Sequence, residues 1–167
     1  MQTTIENLLR VRPETFWRLF FDTAYNDGLY QELGFQGYEV LALEREPDGS
    51  VRRSLRAAPP LSGPAMLQRA LKGVVYYTEE GRYDASRDVW EFVNRTSVAA
   101  GTTRVSGSIR VAPHPEGVTH IVVLDVEVSA LGLGGMIERA IEKSTRESYR
   151  VATAYTNAFA ARSGLAV

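Results

Sequence analysis

The chain has no cysteine among its 167 residues. That excludes disulfides, thiolate metal sites and a thiol nucleophile, and leaves the redox compartment unreadable. Histidine is almost as scarce, with two in all, His114 and His120. No carboxylate stands near either at metal-ligand spacing, so neither a metal nor another cofactor is expected. An excess of one charge is also missing. Nineteen Lys and Arg face 20 Asp and Glu, for a net charge of −1 and a pI of about 6.2. No basic field is available for nucleic acid, which is not expected as a partner. No apolar run is long enough to span a bilayer. The opening "MQTTIENLLRVRPETFW" carries charge from Glu6 onward and has no signal-peptide core, so a cytoplasmic protein is expected. The patterns GxxxxGK[ST], GxGxxG and GxSxG are absent as well.

What is present is a chain that is 44% hydrophobic, enough for one domain over 1–167 with a substantial core. "TTIENLLRV" (Thr3–Val11) reads as a first strand. "RPETFWRLFFDTAYNDGLYQELG" reads as two short helices, with Pro13 in a first turn, a break at Asn26–Gly28 and Gly34 as the final stop. A series of alternating runs follows. The pairs are joined by "PDG", "ASR" and "HPEG", which predicts antiparallel hairpins with one wet face. "GMIERAIEKSTRESYRVATAYTNAFAARSG" then reads as one long terminal helix.

The turn before that helix, "SALGLGG", holds Gly132, Gly134 and Gly135. A phosphate-binding loop would need a parallel strand after the helix, and only the C-terminus follows. The glycines are better read as a corner at which the last strand hands over to a helix lying back across the sheet. A bent sheet and a straight helix do not fit flush, and the misfit leaves an apolar hollow suited to a ligand.

Alternation sorts the faces. Val118, His120, Val122, Leu124, Val126 and Val128 should face inward from the last strand, and Ile121 and Val123 outward. Trp90, Phe92 and Asn94 share one face of an earlier strand; Ile109, Leu55 and Tyr76 are further inward candidates, with at most one of Tyr76 and Tyr77 reaching the hollow. On the terminal helix a stripe runs Ile137, Ile141, Ser144, Ser148, Val151, Tyr155, Phe159. Its small hydroxylated middle would leave room for a ligand, or would let helix and sheet meet closely. The candidate ligand-binding set is therefore Leu55, Tyr76, Trp90, Phe92, Asn94, Ile109, His120, Val122, Leu124, Ile141, Ser144, Ser148 and Tyr155. No residue is assigned a catalytic role. Glu79, Glu80, Asp84 and Asp88 read as solvated charges flanking a turn, and Arg52, Arg53 and Arg56 as a solvated sheet surface. Met66–Leu71, flanked by Arg69 and Lys72, reads as a capping helix, or as a lid able to touch anionic lipid transiently.

The element order and the phrase "VEVSALGLGGMIERAIEKS" resemble the START-like (SRPBCC, helix-grip) superfamily. The likeness is to an uncharacterised bacterial START-like branch whose last strand runs into a "kVPLiGGkiE"-like turn, matched by Val128–Glu138. "VRRSLRAAPP" with "MLQRALKG" (Val51–Gly73) resembles its "v.R.lp…p.fvrk.vG" segment. A weaker likeness, in "PETFWRLFFDTAYNDGLYQELG", is to the VASt sterol-binding domains. The chain departs from the branch at Leu131 and Gly132, where proline and a branched aliphatic are usual. The resemblance implies an α+β helix-grip fold: a curved antiparallel sheet of about seven strands around a long C-terminal helix, with two short helices after the first strand. It also implies a cavity for a hydrophobic small molecule, whether lipid, sterol-like or isoprenoid. A polyketide cyclase-like enzyme built on His120 with Asn94 or Tyr155, and a cavity-free interaction module using Ile121 and Val123, are the alternatives.

Overall fold

The structure is a computed structural model that describes residues 1–60, 75–97, 103–129 and 134–167. The segment Met66–Leu71 and most of the glycine corner lie outside the described residues.

Seven strands form one antiparallel sheet in the order β1-β7-β6-β5-β4-β3-β2. They are β1 (Gln2–Leu9), β2 (Gly37–Arg45), β3 (Val51–Ala58), β4 (Tyr77–Asp84), β5 (Val89–Thr96), β6 (Thr103–His114) and β7 (Gly117–Val128). Two short helices, α1 (Pro13–Phe20) and α2 (Thr23–Glu32), follow β1, and α3 (Gly134–Arg162) ends the chain. This is the helix-grip fold. The hairpins join consecutive strands as the turn residues require, and β1 closes onto β7 with Ile5 opposite Val122 and Leu9 opposite Val118.

The inner face is the one alternation selects. Val118, His120, Val122, Leu124 and Val126 are all buried, as are Trp90, Phe92, Val105 and Ile109. Two inward positions carry no side chain, and that lets the sheet bend over large rings. A Cβ on Gly81 would strike the Trp90 indole, and one on Gly107 would strike the Val123 carbonyl and come within 2.9 Å of the Phe92 ring.

The break between α1 and α2 falls at Phe21–Asp22, not at Asn26–Gly28. Asp22 caps α2 by accepting from the Tyr25 amide at 2.7 Å. Asn26 stays helical because its amide has a more demanding use: Nδ2 donates to the Leu19, Phe20 and Asp22 carbonyls, closing the end of α1. Gly28 is helical too, and its lack of a side chain leaves room for the Tyr155 hydroxyl of α3, which occupies the place where a Cβ would stand.

Helix α3 is held to the β1 side of the sheet. Asn157 accepts from the Arg10 amide at 2.8 Å and donates to the Leu8 carbonyl at 3.1 Å. Glu142 accepts from Thr3 at 3.0 Å, beside its ion pair with Arg146. At the start of the helix, a Cβ on Gly134 would press on the Val128 carbonyl. Among the described residues α3 packs mainly on β1 and β7 of the sheet, and against α2. Strands β3 to β6 curve past it at a distance. The opposite end is filled by aromatic rings from α1: Trp17 meets Tyr83 at 4.4 Å and Phe20 meets Trp90 at 5.4 Å, centroid to centroid.

Candidate functional site

The gap between α3 and the far half of the sheet is a cavity of about 420 Å³. Its floor is β3 to β7, its roof is α3, and α1 and α2 wall one side. The sheet contributes Phe92, Val105, Ile109 and Leu124, α2 and its C-cap contribute Leu29, Tyr30 and Leu33, and α3 contributes Ile137, Ala140 and Ile141. The middle of the roof is small and hydroxylated, with Ser144, Thr145, Ser148 and Thr153 all lining the space. A second depression, about 610 Å³, lies on the outer face among Arg52, Glu80, Arg82, Glu91 and Asp125. It is a wide, charged groove, and Arg52 and Arg82 are both engaged by Glu46 at 2.9 Å. The apolar space under α3 is the one suited to a small molecule.

The structure brings Tyr76, Phe92, Asn94, Ile109, His120, Leu124, Ile141, Ser144 and Ser148 together on the cavity wall. Leu55, Trp90, Val122 and Tyr155 lie elsewhere. Leu55, Trp90 and Val122 face inward as expected, but they are fully buried in packed parts of the sheet. Trp90 is covered by Phe20, Phe21 and the Arg53 guanidinium. Tyr155 sits in the seam between α3 and α2, its ring 5.6 Å from Tyr25 and 6.2 Å from Phe159. The inward stripe of α3 runs through Ser148, Tyr149, Ala152 and Thr156 instead, because α2 covers the arc that holds Tyr155 and Phe159.

Tyr76 and Tyr77 both reach the cavity. Tyr76 precedes the first residue of β4, so strand alternation does not govern it; it is 42% exposed, with Arg56 5.3 Å from its ring. Ile121 is buried and Val123 half-buried, so together they present no exposed apolar patch on the outer face.

The largest departure from the sequence reading is ionic. Arg53 and Glu79 are not solvated. They form a 3.0 Å ion pair, with side-chain exposures of 6% and 12%, and both line the cavity. Arg53 also donates to the Phe20 carbonyl at 2.8 Å, and its guanidinium lies 4.4 Å from the Phe20 ring. Register explains the meeting: Arg53 and Leu55 of β3 oppose Gly81 and Glu79 of β4, all on the inner face. Across the next ladder Glu79 stands opposite Asn94.

Phenols surround this pair. Tyr30, Tyr77 and Tyr149 line the cavity, and burial pushes all three hydroxyls well above the ordinary tyrosine range, so they are neutral at any physiological pH. The Glu79 charge further disfavours ionisation of Tyr30 and Tyr77. Further along, the Thr156 hydroxyl donates to the Ala152 carbonyl, so Tyr25 donates to Thr156 at 2.6 Å; burial raises the Tyr25 pKa to about 12. Burial lowers His120 to about 4, and the imidazole is therefore neutral at physiological pH. It lies between the Phe16 and Tyr149 rings, at 5.1 and 5.6 Å. The acid/base pair of His120 with Tyr155 is not assembled, since only His120 faces the space. The described residues contain no cluster able to hold a metal.

A family model described as a protein of unknown function, DUF2505, matches residues 6–159. The chain belongs to the DUF2505 family. No curated protein matches it by sequence. Among solved structures this DUF2505 chain is similar to TTHA0849 from Thermus thermophilus, at 20% identity and a TM-score of 0.66, with 94% of each chain covered. It is also similar to a START superfamily protein from Mycobacterium smegmatis, at 16% identity and a TM-score of 0.63, covering 95% of this chain and 97% of that one. A third likeness is to the di-domain ARO/CYC StfQ from the steffimycin biosynthetic pathway, at 12% identity and a TM-score of 0.53, covering 94% of this chain and 44% of that one. These likenesses establish the START-like fold. No helix among the described residues is long and apolar enough to cross a membrane.

Proposed function

We propose that residues 1–167 act as one START-like domain that carries or senses a hydrophobic small molecule, of lipid, sterol-like or isoprenoid type, in the internal cavity. The observation that supports this most is the cavity itself: about 420 Å³ of space roofed by serine and threonine where a packed core would place large aliphatics. Apolar walls supply the driving force. A ligand burying on the order of 300 Å² of apolar surface gains roughly 7 kcal/mol before the costs of association. Asn94, His120, Ser144 and Ser148 then orient it, with Phe92, Ile109, Leu124 and Ile141 as the apolar contacts. Tyr76, on the cavity wall and 42% exposed, marks the mouth; transient membrane contact through Met66–Leu71 is part of the same proposal.

Purification of the full chain from cells, organic extraction and mass spectrometry of the extract test the reading. A co-purifying apolar compound at near-stoichiometric level is expected. A protein that comes out empty and takes up no apolar probe afterwards would overturn it.

A further inference from the structure

The cavity is apolar over most of its wall, but its ionic corner has a definite sign. Arg53 is the one cationic side chain on the wall among the described residues. It is already committed, to Glu79 through Nη2 and to the Phe20 carbonyl through Nη1, and the Phe20 and Trp90 rings lie 4.4 and 4.9 Å from its guanidinium carbon. Its Nε has no hydrogen-bond partner, but Arg53 and Glu79 are already neutral as a pair, so an incoming anion brings an uncompensated charge into the space. A hydrogen-bond donor brings no such charge, and acceptors wait for it. Arg53 engages only Oε1 of Glu79, and Oε2 is not part of that bond. Directly across the ladder, Asn94 holds a buried Oδ1 that has no hydrogen-bond partner. Opposed side chains on one face of an antiparallel pair have Cβ atoms about 5 Å apart, so one ligand group can meet both. The Asn94 amide turns about a soft sp³–sp² torsion, which lets its oxygen swing to a donor arriving from the cavity. A buried unpaired acceptor is costly, and a donor that satisfies it recovers that cost.

We infer that the Glu79–Asn94 corner selects a neutral ligand carrying a hydroxyl, alcohol or phenol, which donates to these acceptors, and that it discriminates against carboxylates. This rests on the cavity being a ligand site. A carboxylate head would have to displace Glu79 from Arg53 or lie beside it as a like charge, and either is unfavourable in a low-dielectric space. An ether of the same shape would leave Oδ1 of Asn94 unpaired. Recognition through a donor hydroxyl rejects the analogue that lacks it far more strongly than apolar contacts distinguish chain lengths.

The test is displacement of a neutral fluorescent probe, N-phenyl-1-naphthylamine, from the full chain by 1-decanol, decyl methyl ether and decanoate at neutral pH. The alcohol is expected to displace the probe about tenfold or more tightly than the ether or the acid. Asn94→Leu should erase the alcohol's advantage over the ether while the probe still binds. Glu79→Gln frees Arg53 and should reverse the order, with decanoate overtaking 1-decanol; should that variant not fold, the wild type and Asn94→Leu decide the matter. Equal or tighter binding of ether or carboxylate to the wild type overturns the inference, and so does an alcohol preference that survives in Asn94→Leu. Both of those results leave the cavity as a ligand site. Failure of the probe itself to bind removes that reading, and this inference with it.

Discussion

His120 ties stability to pH in a way that can be worked through. In the folded chain burial holds its pKa near 4; in the unfolded chain the imidazole returns to about 6.5. Between those values the unfolded state binds a proton that the folded state refuses. Stability therefore rises with pH across that window: it is fully present above about 6.5 and is lost as the pH falls toward 4. Going from pH 7 to pH 5 moves about 1.5 pH units of the window into play, which corresponds to a loss of roughly 2 kcal/mol. Exposed carboxylates contribute in the same direction. Arg146 and Thr3 hold Glu142 low and Arg150 holds Glu147 low, so their favourable interactions are also lost as the pH drops. The histidine is isolated by comparing the wild type with His120→Phe, whose ring suits the place between Phe16 and Tyr149. Urea unfolding followed by tryptophan fluorescence at pH 7 and pH 5 gives the two differences. The wild type should lose about 2 kcal/mol more than His120→Phe. Parallel losses in the two proteins would refute the claim that His120 is buried and neutral.

Other perturbations have equally definite outcomes. Glu79→Gln leaves a buried guanidinium unpaired and should cost about 3–5 kcal/mol in chemical denaturation. Gly107→Ala sets a methyl group against the Val123 carbonyl and the Phe92 ring, and should cost more than about 2 kcal/mol because a backbone atom cannot step aside. Gly28→Ala should gain up to about 1 kcal/mol of helix propensity only in a Tyr155→Phe background, where the hydroxyl that occupies the site is gone; equal effects in both backgrounds would contradict the packing of α2 on α3.

The fold was legible because its signals are local and redundant. Turn residues at Pro47–Gly49 and at Gly117 fix hairpins, and alternation along β7 puts Val118, Val122 and Val126 inside whatever the rest of the chain does. The wall of the cavity was legible where it rests on that same alternation, at Phe92, Asn94, Ile109, His120 and Leu124. The sequence does not locate Tyr155, because a helical stripe says which residues are covered and not which neighbour covers them; here α2 takes one flank and the cavity the other. Arg53 and Glu79 read as surface charges in the sequence because each, alone, is most stable in water. Only the register of β3 against β4, which places the inward residues of the two strands side by side, turns two costly burials into an ion pair. Alternation already put Arg53 on the face opposite Arg52 and Arg56, so the signal was present and its meaning depended on a partner 26 residues away.

The central claim is that the space under α3 is built to hold an apolar molecule, and titration of N-phenyl-1-naphthylamine into the wild type and Ser148→Leu tests it most directly. Ser148 lines the roof, and leucine there puts three more carbon atoms and no hydroxyl into the space. Saturable binding at one site in the wild type, abolished in a Ser148→Leu protein that unfolds no more easily, is the expected result. Binding of equal strength in both proteins, or none in either, would contradict it.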